Sequence, residues 1–415
     1  MKNREKIIVK TLERKYFLPF ILVTSLFLLW GLANNMTDTL LAAFKRIMDM
    51  TDAQTSLIQF AFYGSYFCFA LPAALFISRR SYKSGIVLGL LLYAVGATLF
   101  LPAARAESYL FYLVAIYVMA GGCSVLETTA NPYILSMGSP ETATRRLNIA
   151  QSFNPVGSIV GILLSKWFIL TDITLYSISG TYAWLAVVLI AILVIMLFAK
   201  MPGGKEVSSA NTISASFHRL FANRLYRRGV IAQFFYVGAQ IGVWSFTIRI
   251  VMQELGMLEA GASTIYLVSI IGFCVSRFVY TLLMNWIDPS RLLLAGGVLS
   301  TVMAFIVVTG AGSGYILITA LVLVSVFMSL MFPTIYGIAL GDIAASEHPE
   351  DAKIGASGLI MAILGGAILT PLQGFISDVT SVYVSYSVPA LCFIVVTLYA
   401  GYAIKKEINT RYYGK

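Results

Sequence analysis

The sequence predicts an all-α integral membrane protein with twelve transmembrane helices, and three observations lead to this prediction. Of 415 residues, 59% are hydrophobic and only 12% are charged, and the mean hydropathy is +0.83, which excludes an ordinary soluble protein. Apolar runs long enough to cross a bilayer recur along the whole chain. One long polar gap divides these runs into six and six.

The apolar runs are too long and too uniformly hydrophobic for the alternating strands of a membrane barrel, so helices are the remaining way to satisfy the backbone in lipid. The polar gap predicts an N-terminal six-helix bundle at 1–201, a cytoplasmic linker at 202–228 and a C-terminal six-helix bundle at 229–415. We predict spans at 17–43, 54–78, 84–103, 109–137, 147–170, 181–201, 229–253, 262–286, 291–310, 314–341, 353–376 and 386–405.

Basic residues gather in every second loop. They precede the first span, recur at Arg79, Arg80 and Lys83, fill the 202–228 gap and close the chain. The positive-inside rule therefore places both termini in the cytoplasm. The same distribution explains the net charge of +10 without a nucleic-acid partner.

The two halves of the chain resemble each other at a distance of about 200 residues. The stretch 131–138 in span 4 (NPYILSMG) has a counterpart at 332–341 in span 10 (FPTIYGIALG), and a glycine-rich part of span 5 has one in span 11. Two parallel repeats of six helices are typical of transporters whose substrate site lies between the halves.

Span 1 carries unusual polar residues in its apolar sequence. Asn34 and Asp38 are four residues apart and share a helix face with Trp30, and Asn35 adds a second carboxamide. A carboxylate in hydrocarbon is costly, so such a residue usually faces a watery cavity and marks a pathway. The alternative is that Asp38 lies near the helix end and reaches the surface.

Span 4 contains a second intramembrane acid, Glu127. No Lys or Arg lies within one helical turn of it in the sequence, and burial without a cation disfavours the ionised form. A carboxyl group in this situation suits a proton carrier, and Asn131, one turn further, could bind the neutral form. The alternative is a permanently protonated acid with one structural hydrogen bond.

Further amides and aromatic residues occur at helical spacing in spans 5 and 7. Gln151 and Asn154 are neighbours on one helix face, and a carboxamide can match the paired hydroxyl groups of a sugar. Tyr236, Gln240 and Trp244 follow one stripe of span 7, where aromatic faces suit the C–H face of a neutral sugar. Packing between helices is the alternative for both groups.

Together these motifs resemble the fucose:proton symporter family of bacterial hexose transporters, within the major facilitator superfamily. The matching patterns are W-x-x-A-N-N-x-x-D at 30–38, L-E-T-x-A-N-P at 126–132, N-x-A-Q-x-F-N at 148–154 and Y-V-G-A-Q-x-x-x-W-S at 236–245. The resemblance extends over nearly the whole chain. It implies the major facilitator fold, with two pseudo-symmetric bundles, and symport of a neutral hexose or deoxyhexose, such as fucose, glucose or galactose, with protons.

By this resemblance Asp38 and Glu127 are the proton-coupling pair. One departure concerns span 10, where the fucose transporter has Tyr before Pro-Thr and this chain has Phe332, so the preferred sugar stays open. With the patterns above, the expected sugar-binding residues are Trp30, Asn34, Asn35, Asn131, Gln151, Asn154, Tyr236, Gln240 and Trp244.

Three other charges have gating or structural interpretations. Arg79 and Arg80 lie where facilitator transporters keep a basic gate loop, although its usual acidic member is missing here. Arg277, in span 8, could pair with an acid such as Asp342 or neighbour the substrate site, and we expect the pairing.

A facilitative sugar uniporter and a proton-coupled exporter are alternative functions on the same fold. An enzyme is not expected, because the two histidines, His218 and His348, are predicted in loops and no metal-ligand pair or nucleophile–base set occurs. We expect no cofactor and no metal, and we expect the coupling ion to be the proton. The protein is expected to be a monomer, surrounded by lipid, in the bacterial inner membrane.

Overall fold

The structure, a computed structural model, describes residues 11–48, 52–169, 174–202, 210–310, 314–344, 346, 348 and 350–413. Within these ranges the side chains of 34, 37–43, 45–46, 52–56, 166, 210–212, 259–260 and 410–413 lie outside the description. In the described part of the chain, twelve helical spans are long and apolar enough to cross a membrane, as predicted.

Spans 3, 5, 10 and 11 are each interrupted by a break between two helices, and a short helix precedes the long helix of span 12. Spans 1 to 6 consist of Phe17–Ile47; Asp52–Arg79; Tyr82–Thr98 with Phe100–Arg105; Tyr109–Leu135; Ala143–Gln151 with Asn154–Leu164 and a π-helical turn at Ser165–Ile169; and Leu175–Phe198. Spans 7 to 12 consist of Arg224–Leu255; Glu259–Leu283; Pro289–Thr309; Gly314–Met328 with Met331–Ala344; Asp351–Met361 with Leu364–Val379; and Val382–Ser385 with Ser387–Tyr413.

Prolines accompany two of the breaks. Pro155 follows the break in span 5 and Pro333 follows the break in span 10. Proline lacks the amide hydrogen that would bond to the carbonyl four residues earlier, so the carbonyls of Gln151 and Ser329 lose their helical donors.

The repeat predicted from the sequence is visible in the packing. Spans 1 and 5 touch at Gly31 and Gly157, where a methyl group would overlap a main-chain carbonyl of the neighbouring helix. Spans 7 and 11 touch in the same way, since a methyl group at Gly365 would overlap the carbonyl of Phe234. Equivalent helices of the two halves thus make equivalent close contacts.

The segment between the halves differs from the prediction in detail. Its residues 210–222 form a helix, Ala210–Ala222, which carries His218, so the prediction that this histidine lies in a loop is wrong. Span 7 begins at Arg224 instead of 229, because the Asn223 side chain caps it by accepting the amides of Leu225 and Tyr226 at 3.0 and 3.1 Å. The division into bundles 1–201 and 229–415 stays a prediction.

Span 1 begins and span 12 ends at the same side of the bundle, which we call the terminal face. Near this face the two halves touch: the Asn148 amide donates to the Thr334 hydroxyl at 3.3 Å, and the Lys353 ammonium lies 5.1 Å from the centre of the Tyr82 ring. These contacts close the terminal side of the space between the halves.

Candidate functional site

A cavity of about 440 Å³ lies between the two halves. Its size is within the range of small-molecule pockets. Its wall combines apolar rings with many hydrogen-bonding side chains, and the polar and charged lining residues are Asn35, Gln59, Tyr63, Tyr66, Glu127, Gln151, Asn154, Ser158, Gln240, Trp244, Ser245, Tyr266 and Arg277.

The cavity extends away from the terminal face. Near the terminal face the lining includes Glu127 and Arg277, each roughly two helical turns from the terminal end of its span. Gln59, Ile248 and Tyr266 also line it, and each lies roughly two turns from the opposite end of its span. The cavity therefore reaches toward the face opposite to the chain termini.

Glu127 stands in the cavity wall as predicted for an acid on a pathway. The Tyr66 hydroxyl lies within hydrogen-bonding reach of its carboxyl group. Among the residues that the structure describes, no cation forms an ion pair with it. Asp38 lies on the span 1 helix, but its side chain, like that of Asn34, is outside the described part, so its coupling role stays a prediction.

Four of the predicted sugar-binding amides, Asn35, Gln151, Asn154 and Gln240, line the cavity. The Gln151 amide donates to the Asn131 side-chain oxygen at 2.9 Å. Asn131 is fully buried behind the wall, so it holds Gln151 in place instead of facing the cavity.

Two predicted aromatic contacts need correction. Trp30 is buried against span 4, where its indole N–H donates to the Cys123 carbonyl at 3.1 Å, and Tyr236 is buried beside Arg277. The four-residue spacing explains why these side chains do not all face the cavity. Four residues of α-helix turn through 400°, so each side chain lies about 40° further around the helix than the one four residues before it. Trp244, unlike Tyr236, lines the cavity and packs edge-on against another ring.

Arg277 also departs from its predicted pairing. Asp342 binds the Lys406 ammonium at 2.7 Å, so it is not the partner of Arg277. The guanidinium instead donates from Nε to the Ser329 carbonyl at 2.7 Å and from Nη1 to the Gln151 carbonyl at 3.0 Å. It is 3% exposed and belongs to the cavity wall.

Arg79 is the last residue of the span 2 helix and Arg80 follows it, and both are exposed at the terminal end of the span. Their role in gating stays a prediction. Among the described residues no group of three or more His, Cys, Asp and Glu side chains is arranged to hold a metal ion.

Several lining residues were not predicted, among them Phe62, Ser158, Ser245 and Tyr266. For two of them, the spacing from a residue already singled out in the sequence could have indicated a place in the cavity wall. Ser158 follows Asn154 by four residues, and Tyr266 precedes Arg277 by eleven, which is about three turns on the same face.

Comparisons with known proteins agree with this architecture. The profile of the Major Facilitator Superfamily matches residues 20–350. The L-fucose-proton symporter of Haemophilus influenzae is 42% identical, over 94% of this chain and 97% of its own. The glucose/galactose transporter of Brucella abortus is 32% identical, over 93% and 94%. A crystal structure of the major facilitator transporter FucP in the outward conformation superposes with a TM-score of 0.85 at 33% identity, over 94% and 99%.

Proposed function

Because the chain belongs to the L-fucose-proton symporter family of the major facilitator superfamily, we propose that it imports a neutral hexose or deoxyhexose together with a proton. The observation that carries the proposal is Glu127, a carboxyl group without a cation partner among the described residues, in the wall of a polar cavity between two six-helix halves. A group that must lose its charge before the cavity can be enclosed is suited to couple protonation to closure.

Three arrangements in the cavity fit a sugar better than a cation or a greasy drug. Gln151, Asn154 and Gln240 offer amide groups that can both donate to and accept from hydroxyl groups. Trp244 offers an aromatic face beside them, on which the C–H face of a pyranose can pack. Asn35, another lining residue, extends the same amide set along span 1, and Asn34 stays a predicted member of it.

The orientation of the cavity in the membrane follows from the charge distribution. The terminal face carries most of the basic loops, which supports a cytoplasmic location for it and for both termini. The cavity, which reaches toward the other face, then faces the outside of the cell. We propose that bundles 1–201 and 229–415 rock about the 202–228 linker as a monomer in the bacterial inner membrane.

The cycle begins with sugar and proton entering from outside. Protonation of Glu127, together with Asp38, removes the cost of enclosing a charge when the halves close around the sugar. Lower proton activity in the cytoplasm then favours release. A gradient of one pH unit supplies about 1.4 kcal/mol and 100 mV adds about 2.3 kcal/mol per proton.

The relatives are named for two kinds of sugar, L-fucose and glucose or galactose. Phe332 gives this chain an apolar ring in the cavity wall and no hydroxyl group there. The proposal therefore extends to neutral hexoses and deoxyhexoses as a class.

The test uses the full-length protein in proteoliposomes with a pH electrode outside and no imposed gradient. Addition of L-fucose, D-glucose or D-galactose in turn should alkalinise the medium for at least one sugar, because protons enter with it. The Glu127→Gln variant should give no signal. Sugar uptake without alkalinisation would indicate a uniporter, and acidification or the absence of any sugar response would refute symport.

A further inference from the structure

The Arg277 side chain joins the two halves through main-chain carbonyls. Its Nη1 donates to the carbonyl of Gln151 in span 5 of the first half, at 3.0 Å. Its Nε donates to the carbonyl of Ser329 in span 10 of its own half, at 2.7 Å. One guanidinium thus spans the interface that alternating access has to open.

Both of these carbonyls are available for the same reason. Each lies four residues before a proline, Pro155 in span 5 and Pro333 in span 10, and each therefore lacks the amide hydrogen that a regular helix would supply. A buried carbonyl without a donor is costly, so a side-chain donor at this place is stabilising. The planar fork of arginine can serve two such acceptors at once.

The surroundings fix the guanidinium in this position. It lies 4.7 Å from the centre of the Phe273 ring, on the same helix one turn away. The neighbouring Ser276 hydroxyl donates to the Ser329 hydroxyl at 2.8 Å and further ties span 8 to span 10. The Arg277 contact within its own half is therefore secured, and the bond to Gln151 is the one that crosses between the halves.

We propose that Arg277 is a positioning residue of the transport cycle, a latch that holds the terminal side closed through acceptors that two prolines create. Opening the terminal side separates span 5 from span 8 and must break the Nη1 bond to Gln151, while the Nε bond to Ser329 travels with its half. Arg277 and the Gln151 side chain both line the cavity, so a bound sugar hydroxyl competes at the latch itself. The latch deepens the proposed function and rests on it for its role in transport.

The test measures the conformational equilibrium directly, without sugar or a proton gradient. Spin labels on Lys200→Cys and Arg291→Cys, two exposed positions at the terminal face in different halves, report its opening as a longer distance, in a background whose native cysteines are replaced. Arg277→Met should raise the ratio of open to closed terminal side by roughly 10-fold or more, since a charge-assisted hydrogen bond is lost.

Proline variants make the test specific. Pro155→Ala restores an amide that competes for the Gln151 carbonyl, and it should raise the same ratio by roughly 3- to 10-fold while leaving the guanidinium in place. Combined with Arg277→Met it should add little, because both changes remove the same bond. Pro371→Ala, at an exposed proline inside span 11, is the matched control and should leave the ratio unchanged.

An unchanged distance distribution in Arg277→Met, or fully additive effects of Arg277→Met and Pro155→Ala, would overturn the latch. If Arg277→Met does not fold, Pro155→Ala decides the question alone, because it keeps the arginine. These outcomes do not depend on transport, so a failure of the latch is distinguishable from a failure of sugar symport.

Discussion

Two buried arginines, one in each half, bind main-chain carbonyls instead of carboxylates, and they do so in different ways. Arg277 divides its bonds between the halves. Arg146 keeps all of its bonds within the first half, where it donates to the Thr142 hydroxyl at 2.7 Å and to the carbonyls of Thr11, Ile134, Leu135 and Ser139.

The difference lies in why the acceptors are free. Ile134 and Leu135 belong to the last turn of span 4, whose carbonyls lack the amide that a continuing helix would supply four residues later, so Arg146 caps a helix end within one half. The acceptors of Arg277 are freed by prolines inside the membrane, at an interface that must open. Arg146, whose hydrogen bonds all lie within one half, therefore has a structural role. Arg277, whose hydrogen bonds are shared between the halves, is placed to control their separation.

The largest effect is expected at Arg146. Arg146→Gln removes five hydrogen bonds of a buried guanidinium, and it should lower the free energy of unfolding by roughly 3–5 kcal/mol. Thermal unfolding in detergent, followed by size-exclusion chromatography, measures this loss. The fraction with an open terminal side should not change in the molecules that remain folded, and a melting temperature equal to that of the parent would contradict the structural assignment.

A smaller effect is expected at Asn131, which is buried behind the cavity wall and supports the Gln151 side chain. Asn131→Leu removes the hydrogen bond that holds the Gln151 amide, so the KM for sugar should rise by roughly 3- to 10-fold with little change in stability. Thr129→Val is the matched control, because the Thr129 hydroxyl donates only within span 4, to the Val125 carbonyl. Equal KM values for both variants would show that Gln151 does not need this support.

The smallest effect is expected at Lys353, a cation that also crosses between the halves but meets the Tyr82 ring. Lys353→Met should raise the ratio of open to closed terminal side by roughly 2- to 5-fold, the value of a cation–ring contact. Lys353→Arg, which keeps the cation, should raise this ratio less. A shift as large as that of Arg277→Met would mean that charge alone, and not the proline-freed carbonyls, sets the strength of the closed side.

The fold could be predicted from sequence because hydrophobic length and loop charge are sufficient to find spans. The cavity could be predicted in part. Gln151 and Gln240 lie where their motifs suggested, whereas Trp30 and Tyr236 are rotated away, because a spacing of four residues drifts around a helix and does not reveal which helix is the neighbour.

The role of Arg277 was predicted wrongly because a search for an acidic partner overlooks main-chain acceptors. The prolines that create those acceptors, Pro155 and Pro333, are visible in the sequence. Which cation reaches the freed carbonyls depends on the packing of spans 5, 8 and 10, which only the tertiary structure supplies.

The central claim is that one carboxyl group in the cavity, Glu127, carries the proton that drives sugar uptake. The most direct measurement compares uphill accumulation with sugar exchange in proteoliposomes of Glu127→Gln. The amide mimics the protonated acid, so exchange of labelled for unlabelled sugar should persist while accumulation driven by a pH gradient is abolished. Accumulation at the parent level in Glu127→Gln would contradict the account.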